Sequence, residues 1–266
     1  MELVGRGRTA DVYTYSEGKV IKVFHNEFIH LVEPEYSRVK AIIETGVKTP
    51  NVYELIEVNN KKAIVYDFVP GKSMLDLIQQ SPFNISLYAK QLASLHAEVH
   101  NKTVSGLPSI KDILYTDINN VETLMQKDKD AIFKYLELLP EADCLCHYDF
   151  HPGNILIDND KVNIIDWMTA SSGDPNADVC RTSLILMSNA QPYNTSPVEK
   201  VLLWIFRKIL YKSYIKSYLD TTGSTIQHVE QWMLPIAAAR LAEGIESEYK
   251  FLNDIISYWL NLLRYE

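Results

Sequence analysis

The chain has 266 residues, of which 47% are hydrophobic and 23% charged, and a formal charge of −8. That is the make-up of a globular protein able to bury a sizeable core, and it excludes disordered, collagen-like and coiled-coil classes. The acidic balance argues against a nucleic-acid partner, whose phosphates need a basic stripe. The opening MELVGRGRTAD carries no apolar signal core and no run of about 18 apolar residues follows, so no membrane partner is expected and a cytoplasmic location is the default. Cys144, Cys146 and Cys180 are too few for a disulfide framework; Cys144 and Cys146 would face opposite sides of a strand and read as reduced packing residues.

In chain order, the first third reads as strands around one helix. GRGRTADVY is a glycine-rich stretch before a strand, suited to laying backbone N–H groups over phosphates through Gly5 and Gly7, although Gly-x-Gly alone is more often a plain turn. DVYTYS and KVIKVF flank a turn at Glu17-Gly18 and place Lys22 in the second strand between Ile21 and Val23. A lysine on a half-buried strand normally snorkels to solvent; this one follows the glycine loop at a distance suited to phosphate contact. Residues Glu33 to Glu44 have helical spacing of Tyr36, Val39 and Ile43, ended by Gly46. Glu35 on that helix is a partner for Lys22, with Glu33 its competitor. NVYELIEV and KKAIVYDFV then flank Asn59-Asn60, a second hairpin. In IVYDFVPG, residues Asp67 to Val69 form a connection whose backbone suits an adenine edge, though a plain linker reads the same way.

Pro70-Gly71 marks a change of character. The chain divides into a β-rich N-terminal lobe over 1–69 and a mostly helical C-terminal lobe over 70–266, an α+β class. NISLYAKQLASLHAEVH places Tyr88, Leu92, Leu95 and Val99 on one helix face. Further helices are expected over about 121–139, 176–188, 197–219, 228–242 and 247–263. The exception is HYDFHPGNILID followed by VNIIDW, where ILI and VNII bracket Asp158-Asn159-Asp160 as a small hairpin.

That exception carries the chemistry. Phosphoryl transfer from a nucleotide to an alcohol needs a carboxylate to hold the hydroxyl and hard oxygen ligands for magnesium. Asp149 suits the first task, and Asn154 and Asp166 the second. An ordinary Asx turn accounts for one or two of these residues, and a transition-metal site on His147, Asp149 and His151 leaves Asn154 and Asp166 unused.

The order of glycine loop, lysine strand, glutamate helix, linker, catalytic loop and aspartate hairpin resembles the protein-kinase-like superfamily, and within it the aminoglycoside phosphotransferase and choline kinase group. HYDFHPGNIL is similar to that group's His-Gly-Asp-x-His-x-x-Asn loop, and IIDW to its replacement for Asp-Phe-Gly. GVKTPNVY, QLASLHAEVH, GDPNADV and LPIAAARLAEG extend the likeness. The resemblance implies a bilobal protein-kinase-like fold and a magnesium-dependent enzyme using ATP or GTP. Asp149 would be the base, Asn154 and Asp166 the magnesium ligands, Lys22 the phosphate contact and Glu35 its partner. His147 would support the loop and Asp178 brace it. Tyr148 stands where the group keeps glycine and is expected to narrow the approach to Asp149. Ala10 replaces a third glycine of protein kinases. No arginine precedes Asp149 and no Ala-Pro-Glu segment follows, which disfavours phosphorylation-controlled protein-kinase activity.

The expected reaction is transfer of the γ-phosphate to a hydroxyl of a small molecule. Asp174, Glu243 and Glu246 are candidates for pairing with the amines of an aminoglycoside or choline-like cation, although glutamates near a helix end are also ordinary surface charges. Sugars, amino alcohols and macrolides are further acceptors in view, and a small atypical protein kinase or an inert nucleotide-binding regulator are the other readings.

Overall fold

Residues able to take a left-handed backbone set the first sheet. The structure, a computed structural model, describes residues 1–188 and 196–264. Strands β1 (Leu3–Arg6), β2 (Ala10–Thr14) and β3 (Lys19–Phe24) precede helix α1 (Val32–Glu44), and β4 (Val52–Val58) and β5 (Lys61–Asp67) follow it. Gly18, Asn59 and Asn60 have φ of 68°, 51° and 61°, the left-handed values that tight hairpins need and that glycine and asparagine tolerate. The five strands pair antiparallel in the order β1-β2-β3-β5-β4.

The period of two along a strand then decides which side chains α1 covers. Phe24 packs with Val32, Ile64 and Ala10, while Ile21 packs with Ala63 and Val65 in a separate cluster. Lys22, two residues before Phe24, shares its face and so points toward α1. The buried stripe of α1 is Val32, Glu35, Val39 and Ile42, rotated from the expected Tyr36, Val39 and Ile43 so that it takes in a carboxylate. Glu35 accepts burial because Lys22 and Tyr66 satisfy it.

The rest of the chain runs through β6 (Lys72–Ser73), α2 (Met74–Gln80), α3 (Ile85–His100), α4 (Ile110–Asn120), α5 (Gln126–Leu138), β7 (Cys144–Cys146), β8 (Ile155–Asp158), β9 (Lys161–Ile164), β10 (Ser171–Gly173), α6 (Pro175–Met187), α7 (Pro197–Thr222), α8 (Ile226–Glu230), α9 (Met233–Arg240) and α10 (Tyr249–Leu263). No helix among the described residues is long and apolar enough to cross a membrane. All three cysteines are free thiols.

Two compact units emerge, and they differ from a single cut at residue 70. The first joins Met1–Gln80, Val104–Leu107 and Pro152–Ala170; the second comprises Ser81–Thr103, Pro108–His151 and Ser171–Glu266. The interleaving has a local cause. β6 pairs with β8 and β8 with β9, so the aspartate hairpin is knitted to the chain just after the first sheet. Gly71, at φ 107°, makes the approach possible: a Cβ there would lie 2.2 Å from the Ile157 carbonyl oxygen.

Two helix expectations are corrected. The segment expected to be helical from 121 starts at Gln126, and α4 precedes it, with buried Ile110, Leu114 and Ile118 at intervals of four and a Ser109 cap. The helix expected over 228–242 is broken. Pro235 has no N–H to return to the Gln231 carbonyl, and Tyr135 Oη donates to that carbonyl at 3.0 Å.

The second unit is centred on a buried carboxylate. Asp178 of α6 is 0% exposed. His96 and His100, one turn apart on α3, present Nε2 to it at 3.1 and 3.3 Å, and their Nδ1 atoms meet Tyr214 and Tyr218, one turn apart on α7, at 2.7 Å each. The i, i+4 spacing on both helices brings the two pairs into register. Burial, with the neighbouring His100, depresses the His96 pKa to about 3. Asp178 is pushed up by burial, but the two imidazoles outweigh this and hold it well below the usual carboxylate range.

Two outcomes follow from this packing. Gly71→Ala should cost about 2 kcal/mol or more, read as a lower midpoint in urea unfolding, because the new methyl would meet backbone oxygen at a φ that disfavours it. Stability should also fall on acidification, because the unfolded chain protonates His96 first, at about 6.5. His96 therefore contributes stability above that pH and withdraws it progressively as the pH drops toward its folded value. Asp178 acts with the same sign, its contribution being lost below about 3.9. Denaturant titrations between about pH 7 and 5 should show the decline, and a flat profile would contradict it.

Candidate functional site

The residues singled out by the sequence fall into two groups, one in each unit, because the HYDFHPGN loop passes from the second unit to the first between His151 and Pro152. Each group has its own geometry.

In the first unit Lys22 is the centre. Its Nζ lies 2.8 and 2.9 Å from the two carboxylate oxygens of Glu35 and 2.9 Å from Asp166 Oδ1. Burial lowers the affinity of this ammonium for its proton, but the two carboxylates outweigh burial and hold its pKa above the ordinary lysine value. Lys22 is thus a fixed cation at neutral pH. Glu35 also accepts from Tyr66 Oη at 2.8 Å. Glu33, the competing glutamate, is exposed and pairs with Lys62 at 2.9 Å, so the structure joins Lys22 to Glu35 and not to Glu33.

Asp166 adopts a left-handed backbone, φ 63° and ψ 60°, an arrangement that aspartate tolerates better than most side chains. The residues around it hold that turn. Trp167 Nε1 donates to Thr49 Oγ1 at 3.0 Å and to the Ile164 carbonyl at 3.1 Å, and Arg38 of α1 donates to the Met168 carbonyl. Asn154 is 8% exposed, and its carbonyl accepts from Ile165 N–H at 2.9 Å, which ties it to the residue before Asp166. An amide oxygen and a carboxylate are hard oxygen donors of the kind magnesium takes, so the donor chemistry of Asn154 and Asp166 suits that ion.

The glycine stretch is a strand and a turn. Gly5 lies in β1 opposite Val12, and Gly7 N–H donates to the Ala10 carbonyl at 2.9 Å. A Cβ at Gly7 would come within 3.0 Å of that oxygen, so the turn admits a larger residue only with displacement. Asp67 also has a task within the sheet. Its N–H donates to the Asn51 carbonyl, its carboxylate accepts from Asn51 Nδ2 at 2.7 Å and Tyr53 Oη at 2.6 Å, and Phe68 N–H donates to the Gly18 carbonyl. Sheet closure thus uses the N–H groups of Asp67 and Phe68.

In the second unit Asp149 is half-buried on the loop after β7. His151 Nε2 lies 3.7 Å from its Oδ2. Burial pushes the carboxyl up, but His151, with Arg181 and His147 beyond it, holds it well below the usual carboxylate range. The loop itself hangs from Asp178, whose oxygens accept the backbone N–H of His147 at 2.6 Å and of Tyr148 at 3.0 Å. His147 is fully buried and its Nδ1 accepts from Asp149 N–H at 3.3 Å.

Tyr148 does not narrow the approach to Asp149. Its φ is 64° and its ring is turned inward, 2% exposed, beneath the Arg181 guanidinium at 4.4 Å. The three acceptor candidates separate as well. Asp174 is buried and caps α6, accepting from Asn176 N–H at 2.7 Å and Asn176 Nδ2 at 2.8 Å, a structural task in place of the expected amine contact. Glu243 is bonded to Arg181 at 2.6 Å and to Arg240 at 3.2 Å, so its charge is already matched. Glu246 is exposed.

Several residues of these clusters carried a signal that apolar periodicity passes over. His96 and His100 are an i, i+4 pair, Arg181 stands one turn after Asp178, and Arg38 one turn after Glu35. Asp117 of α4 carried none. Burial pushes its carboxyl up to about 6, with Arg181 lowering it and Glu243 raising it in smaller measure.

Known proteins share this fold. The chain aligns along 91% of its length with 90% of an aminoglycoside-3'-phosphotransferase of type VIII, at 18% identity and a TM-score of 0.60. It aligns along 96% with 90% of the APH(2")-IIa chain in a streptomycin-ATP ternary complex, at 15% identity and a TM-score of 0.59. A choline/ethanolamine kinase family protein from Mesorhizobium loti is similar over 99% of this chain and 86% of that one, at 14% identity and a TM-score of 0.58. At these identities the likeness is one of fold, the α+β kinase-like fold with an antiparallel N-terminal sheet and helical C-terminal part. No curated protein matches in sequence. The profile of the phosphotransferase enzyme family matches residues 2–199, and the chain belongs to that family.

Proposed function

We propose that the protein is a magnesium-dependent phosphotransferase that moves the γ-phosphate of ATP or GTP to a hydroxyl of a small, amine-bearing molecule. The observation that carries this reading is Lys22, a half-buried cation held between Glu35 and Asp166 on the face of the first sheet that α1 covers. A lysine positioned by a buried glutamate is a phosphate clamp in protein-kinase-type sites. ATP as donor is supported by the similar fold that binds it together with streptomycin.

In this mechanism Lys22 contacts phosphate oxygens and Glu35 keeps its ammonium extended. Magnesium, when bound, supplies a Lewis acid that neutralises developing charge, and Asn154 and Asp166 offer the oxygen donors to hold it. The turn at Gly5 and Gly7 covers the phosphates and Val69 offers its backbone to the base. Asp149 accepts a hydrogen bond from the acceptor hydroxyl. As the oxygen–phosphorus bond forms and the bond to the β-phosphate oxygen breaks, the hydroxyl proton passes to this carboxylate and the nucleoside diphosphate leaves. A carboxylate held this acidic is a weak base, so its larger contribution is orientation of the hydroxyl.

Charge supports a cationic acceptor. The chain carries −8, and half-buried Asp117 and exposed Glu246 are among the carboxylates of the second unit suited to meet ammonium groups. Streptomycin bound to a similar fold and the likeness to a choline/ethanolamine kinase family protein both support a cationic acceptor.

Two sets of variants test the reading. Asp149→Asn should lower acceptor-dependent ADP release by about 10²-fold or more and leave nucleotide affinity near wild type; full turnover would remove Asp149 from the mechanism. Lys22→Met and Glu35→Gln should each reduce turnover, the first by about 10²-fold, whereas Glu33→Gln should not. Equal loss in both glutamate variants would contradict the assignment of the lysine's partner.

A further inference from the structure

We propose that Arg181 is the positioning residue of the phosphotransfer site: it clamps the peptide between Tyr148 and Asp149 and so aims the Asp149 carboxylate. The proposal rests on the reading of Asp149 as the group that receives the acceptor hydroxyl, and it is argued from residue 148.

Tyr148 is a bulky residue in the left-handed region, at φ 64°. Such a conformation is strained for a non-glycine residue and persists only where the surroundings hold it. Both polar ends of Tyr148 are gripped from one face of α6. Asp178 Oδ1 accepts its N–H at 3.0 Å, and Arg181, one turn later, donates Nε–H to its carbonyl oxygen. That carbonyl and the Asp149 N–H belong to one planar peptide. Arg181 holds the oxygen side of the plane, and His147 Nδ1 accepts from the nitrogen side at 3.3 Å. With the plane fixed at both edges, the Cα of Asp149 has little freedom.

Arg181 is itself immobilised. Its guanidinium lies 4.4 Å from the centre of the Tyr148 ring and donates to Glu243 at 2.6 Å, and the arginine is buried, 7% exposed. A planar fork that stacks and donates at once is a property of arginine that lysine does not share. Tyr148 therefore serves as the shelf on which its own clamp rests. The buried Tyr148 hydroxyl has no hydrogen-bond partner among the described residues, which fits a ring retained for its face. A glycine at 148 would take the same backbone angle unaided, so Tyr148 and Arg181 form a matched pair. The charged groups facing Asp149 are His151 and His147 from its own loop and Arg181 from α6, while Asp117 and Glu243 face Arg181.

The test needs no acceptor. In full-length protein labelled at the aspartate carboxyl carbons, the Asp149 resonance is assigned by its loss in Asp149→Asn and followed with pH, together with hydrogen exchange of the Asp149 amide. Arg181→Met should move the Asp149 titration upward by about one pH unit or more and speed exchange of that amide at least tenfold. Arg181→Lys, which keeps the charge and loses the fork, should restore the titration better than the exchange protection. In the Tyr148→Gly background the same arginine substitutions should change exchange much less, because glycine holds the turn by itself. If Arg181→Met does not fold, Arg181→Lys in both backgrounds decides the question. Equal exchange effects in the two backgrounds, or an unmoved Asp149 signal, would overturn the proposal. Full turnover by Asp149→Asn would overturn the assignment of Asp149 and leave the clamp standing, so the two failures are distinguishable.

Discussion

A charge buried in the core must be matched at every lone pair, and the second unit is organised around one such charge. The Asp178 carboxylate, 0% exposed, accepts from two backbone N–H groups of the loop and faces two imidazoles from α3. An uncompensated carboxylate in that position would cost several kcal/mol. Loop and helices therefore have one arrangement that satisfies it, and the strained backbone at Tyr148 is held within that arrangement. Asp149 inherits its place from a residue that never touches solvent.

The first unit uses the same device with the signs exchanged. Lys22 is the half-buried cation, Glu35 its buried counter-charge and Asp166 the second, more exposed partner. The face alternation of β3 delivers Lys22 to α1, and the stripe of α1 is turned to bury Glu35 for it. In both units, then, a charge taken out of water carries information about geometry more than about stability. Removing a partner would leave the buried group less well matched in a medium that penalises it.

Much of this was legible in the sequence where local chemistry dominates. The hairpins at Gly18, Asn59-Asn60 and Asn159 were marked by residues that tolerate a left-handed backbone, and the helices with strong apolar spacing formed near their expected ends. Lys22 and Asn154 were marked by residue type and order, and Glu35 was one of two glutamates until packing separated them. What stayed hidden depended on tertiary contact. Nothing local to Tyr148 shows its ring folding under Arg181. Asp174 looked like a free carboxylate until its role as the cap of α6 was visible. The strands Cys144–Cys146 and Ser171–Gly173 are too short to show a period, and they exist because they pair with each other. The cut at Pro70-Gly71 marked a change of composition, whereas the compact units follow strand pairing across distant sequence.

The account turns on transfer of phosphate to a small alcohol. The most direct measurement incubates the purified protein with magnesium, ATP or GTP, and a panel of aminoglycosides, choline, ethanolamine and neutral sugars, and reads product masses. The account predicts that one cationic acceptor gains the mass of a single phosphoryl group, only with nucleotide and magnesium present. Nucleotide binding without phosphorylation of any small alcohol, or with phosphate appearing only on protein, would contradict it.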